Sequence, residues 1–215
     1  MNIRKNIQII KQKIPKNVCL VAVSKTQSND DIIRAYNTGQ KIFGENKVQE
    51  LIQKKDELPK DIKWHMIGHL QTNKVKFIAP FIDMIHSVDS LRLVNEIDKR
   101  AKQYNRIINC LLQVHIATEK TKFGFEIDKI DEIIEETLKF KNIRIKGLMA
   151  MASNTSDKNK ITKEFSLTNN LIKRIQKKYR NITVLSIGMS NDYLLAIENG
   201  SNMIRVGSSI FGKRK

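Results

Sequence analysis

Short apolar runs and longer amphipathic stretches take turns along this chain. The apolar runs are VCLVAV (18–23), KIFG (41–44), KWHMIG (63–68), DMIHSV (83–88), INCLLQVHI (108–116), IRIKGLM (143–149), ITVLSIG (182–188) and NMIRVGS (202–208). Each has the length of a strand, and as a set they are too apolar for a sheet with one face in water. Between them the pattern predicts helices over 29–39, 46–58, 72–79, 90–104, 129–140, 158–179 and 191–200, and a further helix over 2–13 precedes the first strand. In 90–104 the apolar residues recur at spacings of three and four, as a face packed on a sheet requires. Asp30 and Asp31 suit a helix N-terminus, and Gly39 stands where a C-cap glycine belongs.

Strand and helix alternating eight times argue for an α/β fold with a parallel sheet covered by helices. Eight such units in 215 residues match a single (β/α)₈ TIM barrel, taken as one domain over 1–215. An open doubly wound sheet is the competing fold, but the GxGxxG turn that would accompany it is missing. The helix over 2–13 is expected to cap the barrel floor. In such a barrel, reactive residues belong at the C-terminal ends of the strands.

Composition changes this picture little. No apolar run approaches the roughly 20 residues of a membrane-spanning helix, and MNIRKNIQIIKQKI is amphipathic without a small-residue cleavage site. A soluble, cytoplasmic protein is expected. Cys19 and Cys110 sit in apolar runs with no His/Cys cluster nearby, so neither a disulfide nor a metal site is expected. The formal net charge of +17 invites a nucleic-acid reading. The lysines are spread over most of the predicted helices, however, with no basic stripe interleaved with aromatics, so neither a specific nucleic-acid partner nor a membrane is expected.

The chemistry gathers at strand ends. Side chains alternate along a strand, so Cys19, Val21, Val23 and Lys25 share one face. If that face points into the barrel, Lys25 enters its mouth, where desolvation would lower the amine pKa and leave it able to attack a carbonyl. A solvated lysine at a strand end is the plain alternative. Gly188-Met189-Ser190 follows the seventh strand and Gly207-Ser208-Ser209 the eighth, two turns whose N–H groups and hydroxyls suit an anion where barrels of this kind hold phosphate. Arg205 has the parity of Met203 and Gly207; buried in a barrel it needs an acceptor, either a phosphate, a ring nitrogen, or a carboxylate such as Glu45 or Asp192. A lysine for a carbonyl, turns for a phosphate and an arginine for an aromatic nitrogen together describe pyridoxal 5′-phosphate. His65 and His69 are spaced like two ligands on a helix, but their segment reads as strand then loop, so a structural or cavity-lining role is expected.

With these residues in view, the chain resembles the pyridoxal phosphate homeostasis proteins (YggS/PROSC type), which share their fold type III barrel with the N-terminal domain of alanine racemase. The resemblance runs nearly the whole length, through VAVSKTQ (21–27), FGENKVQE (43–50), WHMIGHLQTNK (64–74), HSVDS (86–90), IKGLMAM (145–151) and LSIGMSNDYLLAIENGSNMIRVGSSIFG (185–212). It implies that Lys25 forms a Schiff base with pyridoxal 5′-phosphate and that Arg205 meets the pyridine nitrogen. It further implies that Ser190, Gly207 and Ser208 hold the phosphate and that Asn46 lies near the ring. Two positions depart from the family pattern: Lys47 replaces the usual aromatic, and Asn191-Asp192 the usual acidic pair.

The implied function is to hold pyridoxal 5′-phosphate reversibly, buffer it and deliver it to apo-enzymes, without robust turnover. The alternative is a weak amino-acid racemase, which needs a second base facing Lys25. In the racemases of this fold that base is a tyrosine from a second, β-rich domain, for which a chain ending at Lys215 leaves no room. Tyr36, Tyr104, Tyr179 and Tyr193 all fall in helical stretches, and only Tyr193 is near the candidate site. Lacking the second domain, the protein is expected to be a monomer.

Overall fold

The alternation of the apolar runs becomes the two faces of one closed barrel in the computed structural model, which describes residues 2–117 and 123–212. The eight strands are parallel and neighbour one another in chain order: β1 (Cys19–Val23), β2 (Ile42–Glu45), β3 (Lys63–Met66), β4 (Met84–Val88), β5 (Ile108–Val114), β6 (Ile143–Ala150), β7 (Val184–Ser186) and β8 (Met203–Val206). The barrel closes where β8 pairs with β1, with Val21 opposite Arg205 and Ala22 opposite Val206.

Inward positions Val21, Met84, Leu111, Met149 and Met203 form one cluster, packed by Cys19, Ile42, Met151 and Val184. Unbranched methionine fills such an irregular interior with little strain. The outward positions, among them Leu20, Ala22, Phe43, Trp64, Ile85, Leu112, Leu148, Leu185 and Ile204, form the larger core beneath the helices. Each fully buried Leu, Ile or Phe among them contributes about 1.5–3 kcal/mol, which makes this outer layer the main source of stability.

The helices are α1 (Ile3–Lys13), α2 (Asn29–Tyr36), α3 (Val48–Glu57), α4 (Val75–Ile78), α5 (Leu91–Gln103), α6 (Ile130–Thr137), α7 (Lys158–Lys178), α8 (Tyr193–Glu198) and α9 (Ser208–Phe211). Ser28 caps α2, its hydroxyl accepting from Asp31 N–H at 3.2 Å, and Asp30 and Asp31 lie in the first turn as expected. The segment 72–79 is a tight turn at Thr72–Lys74 followed by the single turn of α4. Helix α9 is too short for a 3.6-residue pattern to reveal.

Helix α1 does not cap the barrel floor as expected. Its buried face, Ile3, Ile7 and Ile10, packs beside α2 and α9, and the Asn6 amide donates to Ile210 C=O at 2.9 Å. Because α9 spans only four residues, α1 completes the outer layer near the closing seam. Among the described residues no helix is long and apolar enough to cross a membrane, and Cys19 and Cys110 are free thiols.

Candidate functional site

The seam between β1 and β8 brings the two ends of the sequence to one mouth. Past Val23, Ser24 N–H donates to Gly44 C=O at 3.0 Å and so extends the β1–β2 ladder by one residue. Ser24 keeps the outward parity of Ala22, which leaves Lys25 on the inward parity of Val21 and Val23. Lys25 is half-buried. Thr26 then turns the chain sharply, with φ at +63°, a value that residues with a Cβ seldom adopt.

On one side of this turn lies Gly207, where an added Cβ would stand 3.3 Å from Val23 Cβ. On the other lies Asn46, two residues past Gly44, which pairs with Val23. Gly68, two residues past β3, presses on the backbone of Asn46: a Cβ at residue 68 would fall 2.5 Å from Asn46 C=O, so only glycine allows the approach.

Next to Gly207 the two predicted anion turns meet. Ser190 Oγ accepts from the N–H groups of Gly207 at 3.2 Å and Ser209 at 3.3 Å, while Ser209 Oγ donates to Ser190 C=O at 3.4 Å. Ser208 opens α9 on the exposed side of this group. Gly188, at φ +95°, and Asp192, whose Oδ1 accepts from Met189 N–H at 2.5 Å, shape the turn that presents Ser190. Burial pushes the Asp192 carboxyl above its ordinary value.

Arg205 points inward and is buried. It donates to Ser186 C=O at 2.6 Å, Ser186 Oγ at 2.8 Å and Ala150 C=O at 3.0 Å. None of these acceptors is a carboxylate. Glu45, one of the two carboxylates weighed for this role, takes the outward parity of Phe43 and serves Lys54 and Ser24 instead. Asp192 acts on Arg205 only through its field. Burial lowers the guanidinium to about 10, so it remains a cation at neutral pH.

Two groups at the site go beyond sequence reasoning, which singles out His65 in a structural or cavity-lining role but not the partners it meets. The first is a chain of inward side chains behind Arg205. His86 Nδ1 lies 3.1 Å from Ser186 Oγ, His86 Nε2 lies 2.9 Å from His65 Nδ1, and His65 Nε2 lies 3.3 Å from Asp83 Oδ2. Burial lowers both imidazoles, His86 well below its ordinary value. The shared parity of Met84 and His86 is the one sequence signal for this placement. The second group is Glu45, Glu50 and Lys54 beneath the Lys25 turn, where Lys54 Nζ meets Glu45 Oε1 at 2.9 Å and Glu50 Oε1 at 2.6 Å.

His65 and His69 do not converge. His69 pairs with Asp89 at 2.9 Å and stacks on Phe123 with ring centroids 3.9 Å apart. Among the described residues no group of three or more His, Cys, Asp or Glu side chains is placed to hold a metal. Tyr193 packs in the outer core, and Lys47 is exposed. The six candidate residues Lys25, Asn46, Ser190, Arg205, Gly207 and Ser208 thus lie on the β7–β8–β1–β2 arc, with an amine, a set of anion donors and a buried cation on adjacent strands.

Comparison with known proteins identifies the family of the chain. The model of the alanine racemase N-terminal domain matches residues 1–215. A pyridoxal phosphate homeostasis protein of Aquifex aeolicus is 38% identical over 199 residues, covering 91% of this chain and 87% of the relative. One of Helicobacter pylori is 42% identical over 199 residues, covering 90% and 87%. Among solved structures, PipY of Synechococcus elongatus with PLP bound superposes with a TM-score of 0.90 at 32% identity, covering 98% of this chain and 100% of that one. Its form without PLP gives 0.93 at 33% identity with the same coverage. The chain belongs to the alanine racemase N-terminal domain family and, within it, to the pyridoxal phosphate homeostasis proteins.

Proposed function

We propose that this protein binds pyridoxal 5′-phosphate reversibly and serves in its homeostasis, holding the cofactor on Lys25 and releasing it to apo-enzymes in the cytoplasm. The reading takes the described barrel as one working unit that acts as a monomer. The observation that carries it is the β1–β8 seam, which sets the Lys25 turn beside the donors of Gly207, Ser209 and Ser190, with Arg205 lower on the same wall. The names of the homeostasis relatives and the PLP-bound PipY structure support it. The free thiols of Cys19 and Cys110 suit a reducing compartment.

The residues fit the cofactor. Two backbone N–H groups now share a single hydroxyl oxygen, through bonds of 3.2 and 3.3 Å, and a phosphate offers them stronger acceptors. Asn46 borders the Lys25 turn on the opposite side, toward the ring. Arg205, anchored by two carbonyls and one hydroxyl, holds a fixed positive charge where the ring nitrogen would lie. Bound there, pyridoxal 5′-phosphate supplies an aldehyde carbon that an amine captures reversibly, with release of water. A permanent cation beside the ring nitrogen disfavours its protonation and weakens the ring as an electron sink. Tyr193, sequestered in the outer core, is not placed as a second base. Both features favour holding over racemisation.

Absorbance of the protein saturated with pyridoxal 5′-phosphate, before and after borohydride, tests the reading in wild type and in Lys25→Ala. A borohydride-fixed adduct in wild type, absent from the variant, is expected. No adduct in wild type, or an equal one in the variant, overturns the assignment. Sustained formation of D-alanine from L-alanine overturns the holding role.

A further inference from the structure

The peptide groups on both sides of Lys25 are gripped by side chains of α3. Before Lys25, Ser24 C=O accepts from Lys54 Nζ at 2.7 Å. After it, Thr26 N–H donates to Glu50 Oε1 at 2.5 Å. That same carboxylate oxygen accepts from Lys54 Nζ at 2.6 Å, so the two grips meet at one atom. The third hydrogen of the Lys54 ammonium goes to Glu45 Oε1 at 2.9 Å, which also accepts from Ser24 Oγ at 2.6 Å. The ammonium therefore has three hydrogens and three acceptors, two of which bear on the Lys25 turn. Lys54 is only 5% exposed and Glu45 fully buried, an unusual setting for a lysine on a surface helix.

Burying an ammonium and a carboxylate has a desolvation cost that packed apolar residues would avoid, so the arrangement invites a specific reason. The backbone supplies one. Thr26 at φ +63° lies in the left-handed region, disfavoured for a residue with a Cβ unless its surroundings enforce it. Relaxation of Thr26 toward ordinary φ would rotate the adjoining peptide and swing Lys25 away from the mouth.

We infer that Glu50 and Lys54 are positioning residues: they lock the strained turn at Thr26 and so aim the Lys25 amine at the cofactor aldehyde. The inference rests on the reading of Lys25 as the amine that captures that aldehyde. A group held in the attacking geometry reacts far faster than one that must find it, and small misplacements slow the reaction by up to about a hundredfold. The clamp therefore acts on the rate and extent of adduct formation, and the phosphate donors across the seam do not depend on it.

The test follows adduct formation by stopped-flow absorbance after apo-protein is mixed with pyridoxal 5′-phosphate. Glu50→Ala removes the acceptor for Thr26 N–H and leaves the buried Lys54–Glu45 pair intact. It is expected to slow adduct formation by about tenfold. Thr26→Gly added to Glu50→Ala is expected to recover most of that loss, because glycine adopts positive φ without help; Thr26→Gly alone should react at the wild-type rate. If Glu50→Ala does not fold, the double variant Lys54→Met/Glu45→Gln removes the other grip without leaving a buried charge unpaired, and the same slowing and the same rescue by Thr26→Gly are expected. Adduct formation at the wild-type rate in the clamp variants overturns the inference while leaving Lys25 as the tether. Slowing that Thr26→Gly does not rescue also overturns it, since the group would then only support α3. Wild type that gives no borohydride-fixed adduct at Lys25 overturns the underlying reading instead.

Discussion

His86 Nε2 and His65 Nδ1 lie 2.9 Å apart inside the barrel, and one set of tautomers satisfies every contact in their chain. His65 donates through Nε2 to Asp83, His86 through Nε2 to His65, Ser186 through its hydroxyl to His86 Nδ1, and Arg205 to Ser186 Oγ. Every hydrogen bond then runs in one direction, from the guanidinium to the carboxylate of Asp83. Protonating either nitrogen that now accepts would break the sequence and add a second buried positive charge near Arg205.

Stability should accordingly fall on mild acidification. Both histidines have depressed values in the folded state, so the unfolded chain binds protons that the native state does not, and stability is lost as pH falls below the unfolded value. A histidine that stays neutral down to pH 5 lowers stability by about 2 kcal/mol between pH 7 and 5, at about 1.4 kcal/mol per pH step below an unfolded pKa of about 6.5. Burial raises Glu45 and Asp192, which act in the opposite sense, so the comparison must be between variants. Thermal melts at pH 5, 6 and 7 should show a flatter pH dependence for His86→Leu than for wild type, along with a lower melting temperature at pH 7. Parallel pH profiles would contradict the neutral pair.

Ser190→Ala tests the anion turn. In the proposed arrangement, removal of the hydroxyl would take away one charge-assisted hydrogen bond to the phosphate, and it is expected to weaken pyridoxal 5′-phosphate binding about tenfold. Binding of pyridoxal, which has no phosphate, should not change. Equilibrium titration with both ligands makes the check, and equal weakening of the two would place the phosphate elsewhere.

Gly68→Ala addresses the second wall of the mouth. The new methyl would fall 2.5 Å from Asn46 C=O, backbone against backbone, so the loop must shift. A loss of about 1–3 kcal/mol is expected, together with weaker cofactor binding. Calorimetry and the same titration read the two effects, and an unchanged melting temperature would show that the approach is looser than the geometry indicates.

Much of the barrel is legible in the sequence because each strand is a short apolar run and each longer helix carries a clear apolar face. Helices α4 and α9 are not legible, since one turn holds too few residues to show a period. The apolar stripe of α1 says that it packs but not upon what, and its place beside α2 and α9 follows from how little of the wall α9 covers. Lys25 and Arg205 are legible through parity alone, Ser190 and Gly207 through their turns. The roles of Glu50 and Lys54 are not legible, because what buries Lys54 is its reach toward Ser24 and Glu45, which no local pattern encodes. Glu45 could have been excluded as a partner of Arg205 by parity: it shares the face of Phe43, on the far side of the strand.

The Val21–Arg205 pairing also sets when the two halves of the candidate site come together. The tether proposed at Lys25 is made before β2 to β8 and the anion turns after β7 and β8, and the two meet where β8 docks on β1. A nascent chain that has not yet reached β8 therefore carries the proposed tether without the anion turns, and a ligand held by both meets its contacts only on the closed barrel. On the proposed reading, a cofactor bound across the seam would work as a clasp: it would draw the folding equilibrium toward the closed form by mass action and so couple cofactor supply to resistance to unfolding.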